Sequence, residues 1–169
     1  MLPEEVMKFK GKTEVRIFDI EKGAIRKYAE AIEDTNPLYW DEEYARNSRY
    51  GSIIAPPGFW GWVPADPATE GEPFVYIGGS QRFVARDQAI NALAKAGYSR
   101  VMDGGHAYDF LKPVRAGDTL AAFYKILDIV ERQGRGGKFA ILMQETSYTN
   151  QHGELVGIWY QNLIGRWRE

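Results

Sequence analysis

The sequence predicts an α+β domain in which a short strand and several helical segments precede an antiparallel meander of long strands. Two patterns and one constraint carry that prediction. Ile25, Tyr28, Ala29 and Ile32 recur at i, i+3, i+4 and i+7, which is one apolar face of an amphipathic helix. The last third holds three strand candidates, about 119–131, 138–149 and 154–167, parted by turns with Gly134, Gly136 and Gly137 and then Asn150 to Gly153. Strands joined by such hairpins pair antiparallel. The constraint is length: 169 residues suffice for one domain with a real core.

The elements follow in order. Thr13 to Ile20 mixes Val15, Ile17, Phe18 and Ile20 with charged residues and reads as the first strand. The helix over 23–32 comes next, and it must stop before Asp34-Thr35-Asn36-Pro37 because Pro37 disfavours helical geometry at Asn36. A second short helix is expected from Glu42 to Asn47. Pro57, in Ala55-Pro56-Pro57-Gly58, suits the first turn of a further helix, where its missing N–H is harmless. That helix would carry Phe59, Trp60, Trp62 and Val63 into the core. Residues 64–73, with Pro64, Pro67, Gly71 and Pro73, read as a loop, and Phe74 to Ile77 as a strand. Asp87 to Ala96 reads as a helix with Ile90, Leu93 and Ala94 on one face and Gly97 as its stop. Gly105 to Phe110 leads into a turn-rich joint, Leu111 to Asp118. Both faces of the last strand are apolar, so it is predicted to be covered on both sides.

Composition narrows the function classes. Apolar residues are 44% and aromatics 14%, a globular composition. A net charge of −2 lacks the basic surface that nucleic acid or anionic membrane partners require. With no cysteine, disulfides and thiolate chemistry are excluded. With only His106 and His152, a His-rich metal site is not expected. The first residues lack the basic and apolar runs of a signal peptide, and the apolar stretches fall short of a membrane span. A soluble cytoplasmic protein is the default expectation.

One constellation points to chemistry. Tyr28-Ala29-Glu30-Ala31-Ile32-Glu33-Asp34-Thr35-Asn36-Pro37-Leu38-Tyr39 resembles the signature of (R)-specific enoyl-CoA hydratases and MaoC-like dehydratases, in which a short helix runs into Asp-x-Asn-Pro-(aliphatic)-His. Gly104 to Asp118 resembles the joint in that group's N-terminal, fatty-acid-synthase-like dehydratase domains. The resemblance covers most of the chain and is least over residues 64–100. It implies the hot-dog fold, an antiparallel sheet wrapped around a central helix. It also implies addition or removal of water at a 2-enoyl or 3-hydroxyacyl thioester, on CoA or an acyl carrier, without metal or organic cofactor.

That chemistry needs a proton acceptor for water, a proton donor for the α-carbon and an oxyanion donor for the enolate-like state. The resemblance assigns Asp34 to the catalytic Asp, Asn36 and Pro37 to the signature turn, and Gly58 to the N–H that polarises the thioester carbonyl. Tyr39 stands where the catalytic His belongs, and Pro57 stands where a His usually precedes the glycine. A tyrosine, with a pKa of roughly 10, is a poor proton acceptor at neutral pH. The missing base must then come from His106, whose side chain suits acid–base work, or from another subunit. The group includes double hot dogs, fused or heterodimeric, in which one half has lost its Asp and His. A single hot dog is therefore expected to pair with another copy or another subunit.

Three functional readings follow: a hydratase or dehydratase; a catalytically depleted thioester-binding subunit of a hot-dog heterodimer; and a hot-dog acyl-CoA thioesterase. Each residue also has a plainer reading. Asp34 and Asn36 can simply end a helix and build a turn. Tyr39 and Trp40 can be core aromatics, and His106 a strand-end residue with a solvent or backbone partner. Phe59, Trp60 and Trp62 suit the core of the central helix. Arg82, Arg86, Lys112 and Arg115 could meet CoA phosphates, but nothing in their spacing demands it, and a solvated face is the plainer reading.

Overall fold

The computed structural model describes residues 1–61 and 83–167. A short helix α1 (Glu4–Met7) precedes strand β1 (Thr13–Asp19) and helix α2 (Lys22–Ala31). A single 3-10 turn (Pro37–Tyr39) and helix α3 (Glu42–Asn47) follow. Helix α4 (Val84–Lys95) then leads into strands β2 (Arg100–Phe110), β3 (Thr119–Gly134), β4 (Gly137–Asn150) and β5 (Leu155–Arg166). The five strands form one antiparallel sheet in the order β1-β3-β4-β5-β2, so among the described residues β1 and β2 are its edges.

Long strands with alternating burial build the core. Tyr124, Ile126, Leu142, Tyr148 and Leu163 turn inward and are buried. Polar side chains pair with one another where the sheet meets α4. The Tyr124 hydroxyl donates to Gln144 Oε1 at 2.6 Å, and the Gln144 amide donates to Gln161. Buried polar atoms need such partners, since each unmade bond costs about 1–3 kcal/mol. Helix α4 lays Arg86, Ala89 and Leu93 against this face. Its preceding residue, Phe83, stacks on Tyr124 with ring centroids 4.4 Å apart.

Glu14 of β1 holds the start of α4. Its Oε2 accepts the Ala85 N–H at 3.0 Å, while Oε1 pairs with Arg16 at 2.8 Å. A carboxylate at a helix N-terminus satisfies an orphan donor and faces the positive end of the dipole. This explains why α4 begins at Val84, three residues before the expected Asp87: its cap comes from a distant strand.

Several expectations are corrected. No helix begins at Pro57 within the described residues. Phe59 N–H bonds to Pro56 O at 3.0 Å, and Gly58 adopts φ +89°. Pro at the second position and a left-handed residue at the third are the signature of a type II turn. Among the described residues α4 lies on the sheet, and Phe59 and Trp60 reach the core from a turn; Trp62 and Val63 lie outside the described residues. So do the loop over 64–73, the strand at Phe74 to Ile77, and Arg82. Gly105 to Phe110, which leads into the joint as expected, is the end of β2. Ile32 is 47% exposed, because α2 ends one residue earlier. Arg86 is buried at 5% exposure, not solvated. The last strand has mixed burial: Val156 and Leu163 are buried, while Ile158, Trp159 and Tyr160 are half-buried.

No helix among the described residues is long and apolar enough to cross a membrane.

Candidate functional site

The stretch from α2 to α3 is held by side chains that bond to backbone. Glu33, at φ +57°, closes α2 in a Schellman arrangement: its N–H bonds to Glu30 O at 3.0 Å and the Asp34 N–H to Ala29 O at 2.9 Å. A left-handed conformation at a residue with a Cβ costs on the order of 1 kcal/mol. It turns the chain so that Asp34 leaves the helix at once. Asp34 Oδ1 accepts the Asn36 N–H at 3.0 Å, and Asn36 Oδ1 accepts the Leu38 N–H at 3.1 Å. Pro37 occupies the first position of the 3-10 turn, where no donor is needed. The Trp40 indole N–H donates to Asp34 O at 2.9 Å, and Asp41 caps α3 through the N–H groups of Glu43 and Tyr44.

Asp34 and Asn36 thus do the turn-building that their residue types predict, yet Asp34 keeps one oxygen in reserve. Among the described residues, Oδ1 is engaged and Oδ2 accepts no hydrogen bond. Tyr39 lies beside it, buried at 5% exposure. Burial pushes the Tyr39 phenol above its ordinary pKa, and the negative charge of Asp34 pushes it further; the Asn36 side chain pulls the other way, and Tyr50 adds a small upward push. Tyr39 is therefore a protonated hydroxyl at neutral pH, a donor and not a base.

Gly58 meets Tyr28 of α2. A Cβ at Gly58 would sit 3.4 Å from the Tyr28 hydroxyl oxygen. The Tyr28 ring packs on Phe59 with centroids 5.0 Å apart. Among the described residues, the Gly58 N–H has no hydrogen-bond acceptor. Tyr28 in turn lies close to Tyr108 of β2, and burial followed by the influence of Tyr28 and Asp103 raises the Tyr108 pKa.

His106, Tyr108 and Phe110 alternate on one face of β2 and stack in a row, with centroids 6.1 and 5.6 Å apart. The row continues through Trp60, stacked on Phe110 at 5.6 Å and on Tyr148 at 4.6 Å. A bulge between Asp103 and His106 turns His106 toward Asp103, whose carboxylate meets Nε2 and also accepts the Gly105 N–H at 2.8 Å. The Trp159 indole N–H donates to His106 Nδ1 at 2.8 Å. An indole can only donate, so Nδ1 must carry the lone pair and the proton sits on Nε2, facing Asp103. Both ring nitrogens of His106 are occupied. His152 is exposed at the β4–β5 hairpin, where Asn150 Oδ1 accepts its backbone N–H at 3.0 Å.

The fold thus gathers Asp34, Asn36 and Tyr39 into one turn and sets Gly58 against Tyr28. It places His106 on the edge strand with partners of its own. Sequence reasoning missed Tyr28, Tyr108 and Trp159 as neighbours of the site. Tyr28 had a signal, since it opens the motif stretch, but its apolar spacing marked it as helix core.

The antiparallel sheet with α4 against one face is the hot-dog fold, shared with dehydratases and hydratases among solved structures. Residues 8–158 match the family model described as the FAS1-like, dehydratase domain region, and the chain belongs to that family. It is 34% identical over 149 residues to a UPF0336 protein of Streptomyces griseus, covering 88% of this chain and 85% of the relative. It is 28% identical over 146 residues to a probable enoyl-CoA hydratase alpha subunit of Thermomonospora curvata, covering 85% of this chain and 42% of that one. Among solved structures, the ChsH1-ChsH2 complex from Mycobacterium tuberculosis superposes with a TM-score of 0.74 at 20% identity, over 98% of this chain and 91% of the matched one.

Proposed function

We propose that this chain is one half of a hydratase or dehydratase acting on 2-enoyl or 3-hydroxyacyl thioesters, working with a second hot-dog subunit. The observation that carries it is Asp34: one oxygen is pinned by the Asn36 N–H and the other has no partner among the described residues, beside a Tyr39 held protonated. In hydration, a water attacks the β-carbon while its proton passes to a base, and the α-carbon takes a proton. Asp34 orients or deprotonates the water. The Gly58 N–H meets the carbonyl oxygen where negative charge develops. The remaining proton-transferring group comes from the partner, because Tyr39 is not a base and His106 has both nitrogens engaged.

The relatives support the reading in kind. One is named a probable enoyl-CoA hydratase alpha subunit, and one solved neighbour is a complex. The test is direct. The purified chain is mixed with 2-butenoyl-CoA, and loss of the conjugated-thioester absorbance is followed with and without a hot-dog chain carrying an intact Asp-x-Asn-Pro-x-His. Binding by the chain alone is expected, with turnover rising roughly 10²–10⁴-fold once the partner is added. In the complex, Asp34→Asn abolishes that gain. Full turnover by the chain alone overturns the half-site, release of free CoA thiol points to a thioesterase instead, and failure to bind any enoyl thioester overturns the substrate class.

A further inference from the structure

The Gly58 turn presents more than a backbone amide. Gly58 adopts a left-handed φ of +89°, and the Tyr28 hydroxyl lies 3.4 Å from where its Cβ would be. A side chain at position 58 would touch that hydroxyl at ordinary contact distance and would strain the left-handed backbone. Among the described residues, the Tyr28 hydroxyl makes no hydrogen bond, and neither does the Gly58 N–H. The Tyr28 ring is half-buried on α2 between the buried Ile25 and Ala29, and it packs on Phe59, the residue next to Gly58. Two donors without an acceptor among the described residues, one on a helix and one in a turn, thus belong to residues in direct contact.

We infer that the Tyr28 hydroxyl is a second donor to the thioester carbonyl oxygen, completing with the Gly58 N–H a two-donor oxyanion site. The inference rests on the thioester reading above. It is motivated by chemistry as well as geometry. An enolate-like oxygen carries charge in two lone-pair directions, and preorganised pairs of donors stabilise it far better than one. A phenol on a helix suits the second place because its two side-chain torsions are set by packing before substrate arrives. The site then spans α2 and the Pro56–Phe59 turn, so both donors and Asp34 come from this chain even if the remaining acid or base does not.

The probe is 2,4-hexadienoyl-CoA, whose conjugated carbonyl absorbs at longer wavelength when donors polarise it. It is titrated into the full-length chain, into Tyr28→Phe and into Asp34→Asn. Tyr28→Phe keeps the ring that packs on Phe59, so the variant retains the local core. The native chain is expected to bind the probe with a red shift, which Asp34→Asn retains. Tyr28→Phe should lose half or more of that shift, with binding weakened by no more than about tenfold. In the complex with its partner, Tyr28→Phe should lower kcat about 10²-fold with KM little changed. A red shift and kcat unchanged in Tyr28→Phe overturn the role of Tyr28 and leave the thioester reading standing. No binding of the probe by the native chain overturns the thioester reading and this inference with it.

Discussion

Tyr39 and His106 are the two side chains that the family resemblance offers as proton acceptors, and they are made poor ones by opposite means. Tyr39 is buried next to a carboxylate, so its proton is held more tightly than in water. His106 is more open, yet Asp103 takes one ring nitrogen and Trp159 the other. The first is unavailable because of its pKa and the second because of its geometry. A titratable residue near a site is a base only when a lone pair faces the reacting atoms, and neither of these offers one. Asp34 Oδ2 accepts no hydrogen bond among the described residues, which is why the proposed function centres on it.

The sharpest way to break this contrast is to restore the imidazole. Tyr39→His should raise hydration of 2-butenoyl-CoA by the isolated chain by roughly 10²–10⁴-fold, the usual worth of a placed general acid or base. No gain, measured with a folded variant, would mean that the turn no longer presents position 39 to substrate. His106→Gln tests the other side. Turnover of the complex should hold, while unfolding in urea should report a loss of about 1 kcal/mol, because the Trp159 indole loses its acceptor and the stacked row loses a member. A hundredfold fall in kcat would instead make His106 the base.

The smallest effect is a titration. Followed by phenolate absorbance and assigned by difference with Tyr39→Phe, Tyr39 should ionise above the ordinary tyrosine range. In Asp34→Asn its pKa should fall, yet stay raised, since burial is the larger cause and the Asp34 charge the next. The sign carries to stability. A phenol whose folded pKa exceeds its unfolded value contributes fully below about pH 10, and that contribution is lost as pH climbs through the folded pKa. Tyr98, pushed up to about 12 by burial and by its bond to Glu131, should weaken the fold in the same alkaline window.

Local pattern sufficed where one element contains its own reasons. The α2 periodicity, the Asp41-capped α3 and the three hairpin-linked strands lie where spacing puts them, because amphipathic period, caps and glycine turns act over a few residues. Reading failed where the deciding contact is remote. The start of α4 depends on Glu14, 71 residues away in sequence. Pro57 fits both a helix start and a type II turn, and the left-handed Gly58 beside Tyr28 decides for the turn. Gly157 looks like a weak point in a strand, yet a Cβ there would lie 2.0 Å from Trp60, so the glycine is what admits the stacked indole.

The candidate site divides in the same way. Asp34, Asn36, Pro37 and Tyr39 share six residues of chain, so their turn and the absence of an imidazole within it were determined by sequence alone. Whether Tyr39 keeps its proton, which nitrogens of His106 are free, and that Tyr28 meets Gly58 were decided only by tertiary structure. The physical reason is that protonation and hydrogen bonding depend on burial and on through-space neighbours, and those neighbours come from α2, β2 and β5, which the sheet brings together only once the whole chain has folded.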